Sequence, residues 1–299
     1  MITNLTPNSA LFLASLDTIQ QNLANASEQV SSGKRINNAQ DDPDELESLL
    51  QLRTDEQQNS QIESNLAEAK AEADTADSAL NSASQLMDQA ISLATQGANS
   101  TTDAAGRQTI AQQIEAIQKQ MVDLSQTQVQ GRYIFSGDDD ASPTYQLDLN
   151  TPEGVDMLSD AASTRQVQDP EGSTFAASET ASQIFDAPGA SVFSALNTLR
   201  VALLGNNQAG IENSISALQA ANTQVNQSDS FYGNVEDEIQ NDNTFASNYD
   251  TQLQTEISNI QDADIAQASL ELTEGNTQLQ AAFEAEGKMP TTSLFNYLG

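Results

Sequence analysis

Carboxylates bunch twice along this 299-residue chain, at Asp41, Asp42 and Asp44 and again at Asp138, Asp139 and Asp140. Grouped oxygens of that kind can hold calcium, but neither group has the central glycine and distant glutamate of a helix-loop-helix calcium loop. Both read as solvated acidic turns, and no metal or other cofactor is expected. Nucleophilic chemistry has less to draw on. Histidine and cysteine are absent, which removes the commonest general base and metal ligand along with thiolate chemistry and disulfides. A serine nucleophile would need a lysine base, and none of Lys34, Lys70, Lys119 and Lys288 combines a Ser-x-x-Lys spacing with a plausible cleft. The glycines of SGKR and GNNQAG lack the spacing of a phosphate-cradling loop. The chain reads as a non-enzyme.

One stretch with unusual chemistry remains, SGKRINNAQDDP (32–43). Lys34 and Arg35 stand together as the first basic residues of the chain, and two aspartates follow within seven positions. Each residue type suits a joint between helices. Gly33 falls where a helix ends in a left-handed residue, and Lys34 and Arg35 place positive charge at the negative end of the helix dipole. Asn37 and Asn38 suit a turn. Asp42 is an N-cap, Pro43 a first helical residue, and Glu45 is placed to close a capping box. Capping needs one cation, so the second motivates contacts between copies or with partner proteins.

The elements around this joint are predicted from periodicity. Phe12, Leu16, Ile19, Leu23, Ala26 and Val30 alternate in steps of four and three, a coiled-coil seam on a helix over roughly 8–31. Ile62, Leu66, Ala69, Ala73, Ala76, Leu80, Ala83, Met87, Ala90 and Ala94 carry a longer seam on a helix over about 44–96. A third helix, capped within 100–103, carries Ile110, Ile114, Ile117, Met121 and Leu124 and ends near Gly131. GRYIFSG (131–137) reads as a strand. Four of the seven prolines fall between 137 and 189, where helical periodicity fades into a small β-rich insert. Helix resumes at Val192, continues after GNNQAG from Ile211 to Ile260, and shifts register at QDADI (261–265) into a last helix with Leu272, Leu279 and Phe283. The fold class is therefore mainly α: long antiparallel helical rods, a coiled-coil-like bundle of the N- and C-terminal regions, with a small β-rich domain inserted in the middle. The expected division is 1–42 with 262–299, 43–136 with 189–261, and 137–188.

Composition agrees with narrow seams rather than one large core: 37% of residues are apolar, aromatics are 5% and tryptophan is absent. The net charge of −33 repels phosphate backbones and anionic headgroups, so neither nucleic-acid binding nor membrane insertion is expected. The longest early apolar run is ALFLA (10–14), which predicts no cleaved signal peptide.

The stretch VSSGKRINNAQDDP (30–43) resembles the N-terminal signature of the flagellins and the flagellar hook-filament junction proteins, and ISNIQDADIA (257–266) with SLFNYLG (293–299) is similar to their C-terminal region. Within that family, DDP, GRYIFSG, ASQIFDA (181–187) and the SLFNYLG ending resemble the junction branch, with a short flagellin as the alternative. A secreted adhesin or effector presenting a β-rich ligand-binding insert is the alternative of another class. The resemblance implies a structural subunit of the bacterial flagellum that self-associates in a ring or tube and leaves through the flagellar type III export apparatus. It implies hook-associated protein 1, flagellin and a cytoplasmic export chaperone as partners. It places Lys34, Arg35, Asp41, Asp42 and Pro43 in an elbow, and Phe12, Leu16, Ile19, Leu23, Leu272, Leu279, Phe283, Leu294 and Leu298 in assembly seams.

Overall fold

The computed structural model describes residues 7–159 and 164–288. Seven helices and six short strands follow one another: α1 (Pro7–Ser32), α2 (Pro43–Ala98), α3 (Ala104–Ser125), β1 (Gln128–Val129), β2 (Arg132–Tyr133), β3 (Tyr145–Leu147), β4 (Val155–Met157), β5 (Gln166–Gln168), β6 (Thr174–Ala176), α4 (Ala181–Phe185), α5 (Val192–Leu204), α6 (Gln208–Gln261) and α7 (Ile265–Lys288). Long helices from the two terminal regions and a small sheet-bearing insert are the predicted fold class. The chain divides into two compact units, residues 1–58 with 249–299 and residues 59–248.

In the second unit α2 and α6 run antiparallel. Asn59 donates to the Ala246 carbonyl, Asn81 to Asp229, and Asn222 to Asp88, so one helix descends as the other rises. The four-three stripe of α2 is the buried line, with Leu66, Ala73, Leu80, Ala83, Met87, Ala90 and Ala94 fully enclosed. It meets Ile211, Leu218, Ala221, Val225, Tyr232 and Ile239 of α6 in one core. Small alanines on one side let two long backbones approach closely, while α6 supplies most of the bulk.

The insert is tied to this pair by rings and ions. Phe135 meets Phe185 edge-on at 5.8 Å and Tyr232 at 6.2 Å, and Phe193 lies 4.8 Å from Tyr145. Such pairs contribute about 0.5–1.5 kcal/mol each beyond simple burial. Arg132 and Arg165 reach from the strands and their flanks to Glu68 and Glu72 on α2. Asp140, from one of the acidic groups, lies 3.6 Å from Arg165.

The six described strands pair into three two-stranded antiparallel sheets. The third helix ends at Ser125, short of the predicted Gly131, and GRYIFSG is a strand only at Arg132–Tyr133. The reason is a tight hairpin: Gln130 and Gly131 both have positive φ, 53° and 81°, between the paired residues Val129 and Arg132. Two successive left-handed residues make the turn whose twist matches the flanking strands. Ile134 and Phe135 then leave the strand and enter the core.

Candidate functional site

The joint after α1 forms as its residue types require. Gly33 adopts φ +74° and its N–H donates to the Gln29 carbonyl at 2.9 Å, closing the last turn of α1. The Asp41 carboxylate accepts the backbone N–H groups of Asn37 and Asn38 at 2.9 and 2.7 Å, which folds the turn on itself. Asp42 accepts the Glu45 N–H at 3.3 Å as the N-cap of α2, whose first residue is Pro43. Asp41 and Asp42 are thus engaged in backbone capping. Among the described residues no group of three or more acidic side chains could hold a metal.

What this joint touches is a second joint, between α6 and α7. Lys34 and Asp262 form an antiparallel bridge, the Ala263 N–H donates to the Gly33 carbonyl at 2.9 Å, and the Arg35 N–H donates to the Gln261 carbonyl at 2.6 Å. The side chains repeat the link. Arg35 binds the Asp42 carboxylate at 2.6 Å and the Ile260 carbonyl at 2.8 Å, placing a guanidinium on the C-terminal end of α6. Arg53 donates to the Gln261 side chain at 2.7 Å, and Gln261 donates to the Ile36 carbonyl at 3.3 Å. Ile36, Leu49 and Ile257 form a small core beneath, with Leu52 and Ile260 against it. The Arg35 guanidinium holds the Asp42 carboxyl below the usual carboxylate range. α7 then starts on Asp264, which accepts the N–H groups of Ala266 and Gln267.

Of the predicted residues, Lys34, Arg35, Asp41, Asp42 and Pro43 come together in this double joint. Phe12, Leu16, Ile19 and Leu23 lie half-buried on α1, which pairs antiparallel with α7: Leu23 packs where Gly275 leaves room, and Ala26 and Ala268 are buried. Leu272 and Leu279 are half-buried on the same line, but Phe283 is 54% exposed. The α7 stripe runs Ala268, Leu272, Gly275, Leu279, and a count of large side chains passes over its glycine. Leu294 and Leu298 lie outside the described residues. Sequence reasoning missed Arg53, Gln261 and the Ile260 carbonyl. The register shift at QDADI (261–265) marked the second joint in the sequence.

Comparison with known proteins places this architecture. Residues 3–140 match the model of the bacterial flagellin N-terminal helical region, and residues 215–298 match that of the bacterial flagellin C-terminal helical region. No curated protein matches the chain. A structure described as a flagellar hook-associated protein from Vibrio parahaemolyticus is 18% identical, with a TM-score of 0.66 over 74% of this chain and 100% of its own. The FlgL structure of Bacillus cereus is 18% identical, with a TM-score of 0.57 over 71% of this chain and 100% of its own. The FlgL structure of Xanthomonas campestris is 16% identical, with a TM-score of 0.58 over 67% of this chain and 97% of its own. At these identities the likeness is one of fold. With both terminal helical regions matched in order around the insert, the chain belongs to the flagellin family of flagellar structural proteins.

Proposed function

We propose that the chain is hook-associated protein 3, the subunit that joins the hook, through hook-associated protein 1, to the flagellin filament. The observation that carries self-assembly is the state of the first unit. Leu11, Leu13, Leu50, Ile265, Leu270 and Phe283 are exposed by 43% to 71% in the single chain. Heptad helices with apolar side chains left open need further copies to cover them. Heterologous contact between such copies makes rings or helical tubes. The junction role is supported by FlgL folds aligned over nearly their whole length and by the DDP, GRYIFSG and ASQIFDA motifs. On this reading the paired joints are the elbow between the terminal helices and the long helices, and Lys34 is a contact between copies. The chain then leaves through the flagellar export apparatus, escorted by a cytoplasmic chaperone.

Deleting the gene and imaging the cells tests this. Complete hooks without filaments, with flagellin shed into the medium, are expected. Loss of the filament subunit itself, with the junction in place, would identify a short flagellin instead. Removing residues 140–187 separates the adhesin reading, which expects intact filaments that no longer bind a surface ligand.

A further inference from the structure

The unit that carries the open apolar side chains has almost no cation free to meet a neighbour. It holds four basic residues, Lys34, Arg35, Arg53 and Lys288, against seventeen acidic ones. Arg35 is engaged by Asp42 and Ile260, and Arg53 by Glu56 and Gln261. The second unit holds six basic residues: Lys119 is exposed with no ion pair, and the other five are engaged within the chain. Lys70 pairs with Asp74, Arg132 and Arg165 with Glu68 and Glu72, and Arg107 and Arg200 are buried on carbonyls and side-chain amides. Among the side chains described in the first unit, the Lys34 ammonium alone is a cation with no bond or ion pair, and it is exposed. On α7, Glu271 and Glu274 flank the half-buried line that faces α1, and both are exposed.

Resting on the assembly reading above, we infer that association of copies is gated by dissolved cations. The apolar faces attract, but two such acidic surfaces repel, and fixed cations do little to neutralise them because seven of the ten are engaged within the chain. Small cations must therefore collect between the surfaces as they close. This reverses the usual sign. An interface built on complementary charge weakens with salt, whereas this one strengthens as the screening length falls from about 10 Å at 0.1 M to about 3 Å at 1 M. Among the described side chains of the first unit, Lys34 is the fixed charge acting the other way.

The test is sedimentation of the full chain across sodium chloride from about 0.1 to about 1 M. The concentration needed for assembly should fall on the order of tenfold or more across that range. Salt also strengthens apolar burial generally, so the doubly neutralised Glu271→Gln/Glu274→Gln chain is run alongside, with helicity checked by circular dichroism. It should assemble at lower salt than the wild type, with the two curves converging at high salt, and Lys34→Glu should need more salt. Parallel wild-type and variant curves, or assembly that weakens with salt, would overturn the gating while leaving the assembly reading intact. A chain that assembles at no salt concentration would overturn the assembly reading and this inference with it.

Discussion

Arg35 and Asp42 face each other across the joint between α1 and α2, guanidinium to carboxylate at 2.6 Å, and the same guanidinium reaches the Ile260 carbonyl 225 residues away. One side chain thus connects a turn near the N-terminus to the end of α6. A planar fork with several donors can serve both acceptors, whereas an ammonium is a single point of charge.

Replacing Arg35 by alanine should loosen the two joints without unwinding the helices. Amide exchange should quicken at Arg35, Ile36 and Ala263, whose N–H groups cross between the joints. Arg35→Lys should restore only part of the protection. Unchanged exchange at those three positions would show that the backbone bridge holds without the guanidinium.

Gly275 sets how closely α1 and α7 pair, since a Cβ there would stand 2.9 Å from two carbons of Leu23. Gly275→Val should destabilise the first unit by about 1–3 kcal/mol through overpacking. Leu23→Ala should relieve part of that loss in the double variant. A urea-denaturation cycle measures the coupling, and strict additivity would mean that the two side chains do not meet.

Gly154 is the corresponding position in the second unit. Its φ is +78°, and a Cβ would lie 2.0 Å from Nε2 of the fully buried Gln118, which donates to the Gly154 carbonyl at 3.2 Å. Gly154→Ala should cost roughly 2–4 kcal/mol, combining left-handed strain with a displaced buried amide. Urea denaturation followed by circular dichroism checks this.

Two sets of carboxyls give opposite pH responses. Burial, then the neighbouring Asp77, pushes Asp229 up. Burial, then Asp74 and Asp77, pushes Glu236 up. A raised carboxyl binds its proton more readily in the folded state, so stability rises as pH falls through the folded value and is complete below the unfolded one. Asp42 is held down by Arg35, so its contribution is present above the unfolded value near 4 and is lost as pH falls through its lower folded value. Mild acid should therefore raise the melting temperature, and stronger acid should release the joints. Asp229→Asn should flatten the first response. Asp42→Asn should abolish the second, and each is read by thermal melts across pH.

Much of the fold was legible because its signals are local. The buried line of α2 is the four-three stripe from Leu66 to Ala94, and Gly33, Asp42 and Pro43 cap and restart helices as their side chains dictate. The hairpin at Gln130 and Gly131 was not legible, because glutamine does not announce a left-handed residue. Gly275 was hidden for a related reason. Hydrophobic counting rewards a large ring, while the seam of α7 passes through a glycine that carries no side chain to count.

The sequence alone determined that most of the chain is long helix, where α1 stops and α2 starts, and that one face of each long helix seeks a partner, since caps and heptads act within one or two turns. Tertiary structure decided which partners they find. It turned the Lys34 and Arg35 pair into two different things: a guanidinium fixed on Asp42 and the end of α6, and an ammonium left facing solvent. That division depends on bringing Ile260, Gln261 and Asp262 beside residue 34. Local spacing carries no record of it, because the contact exists only once both joints have formed and docked.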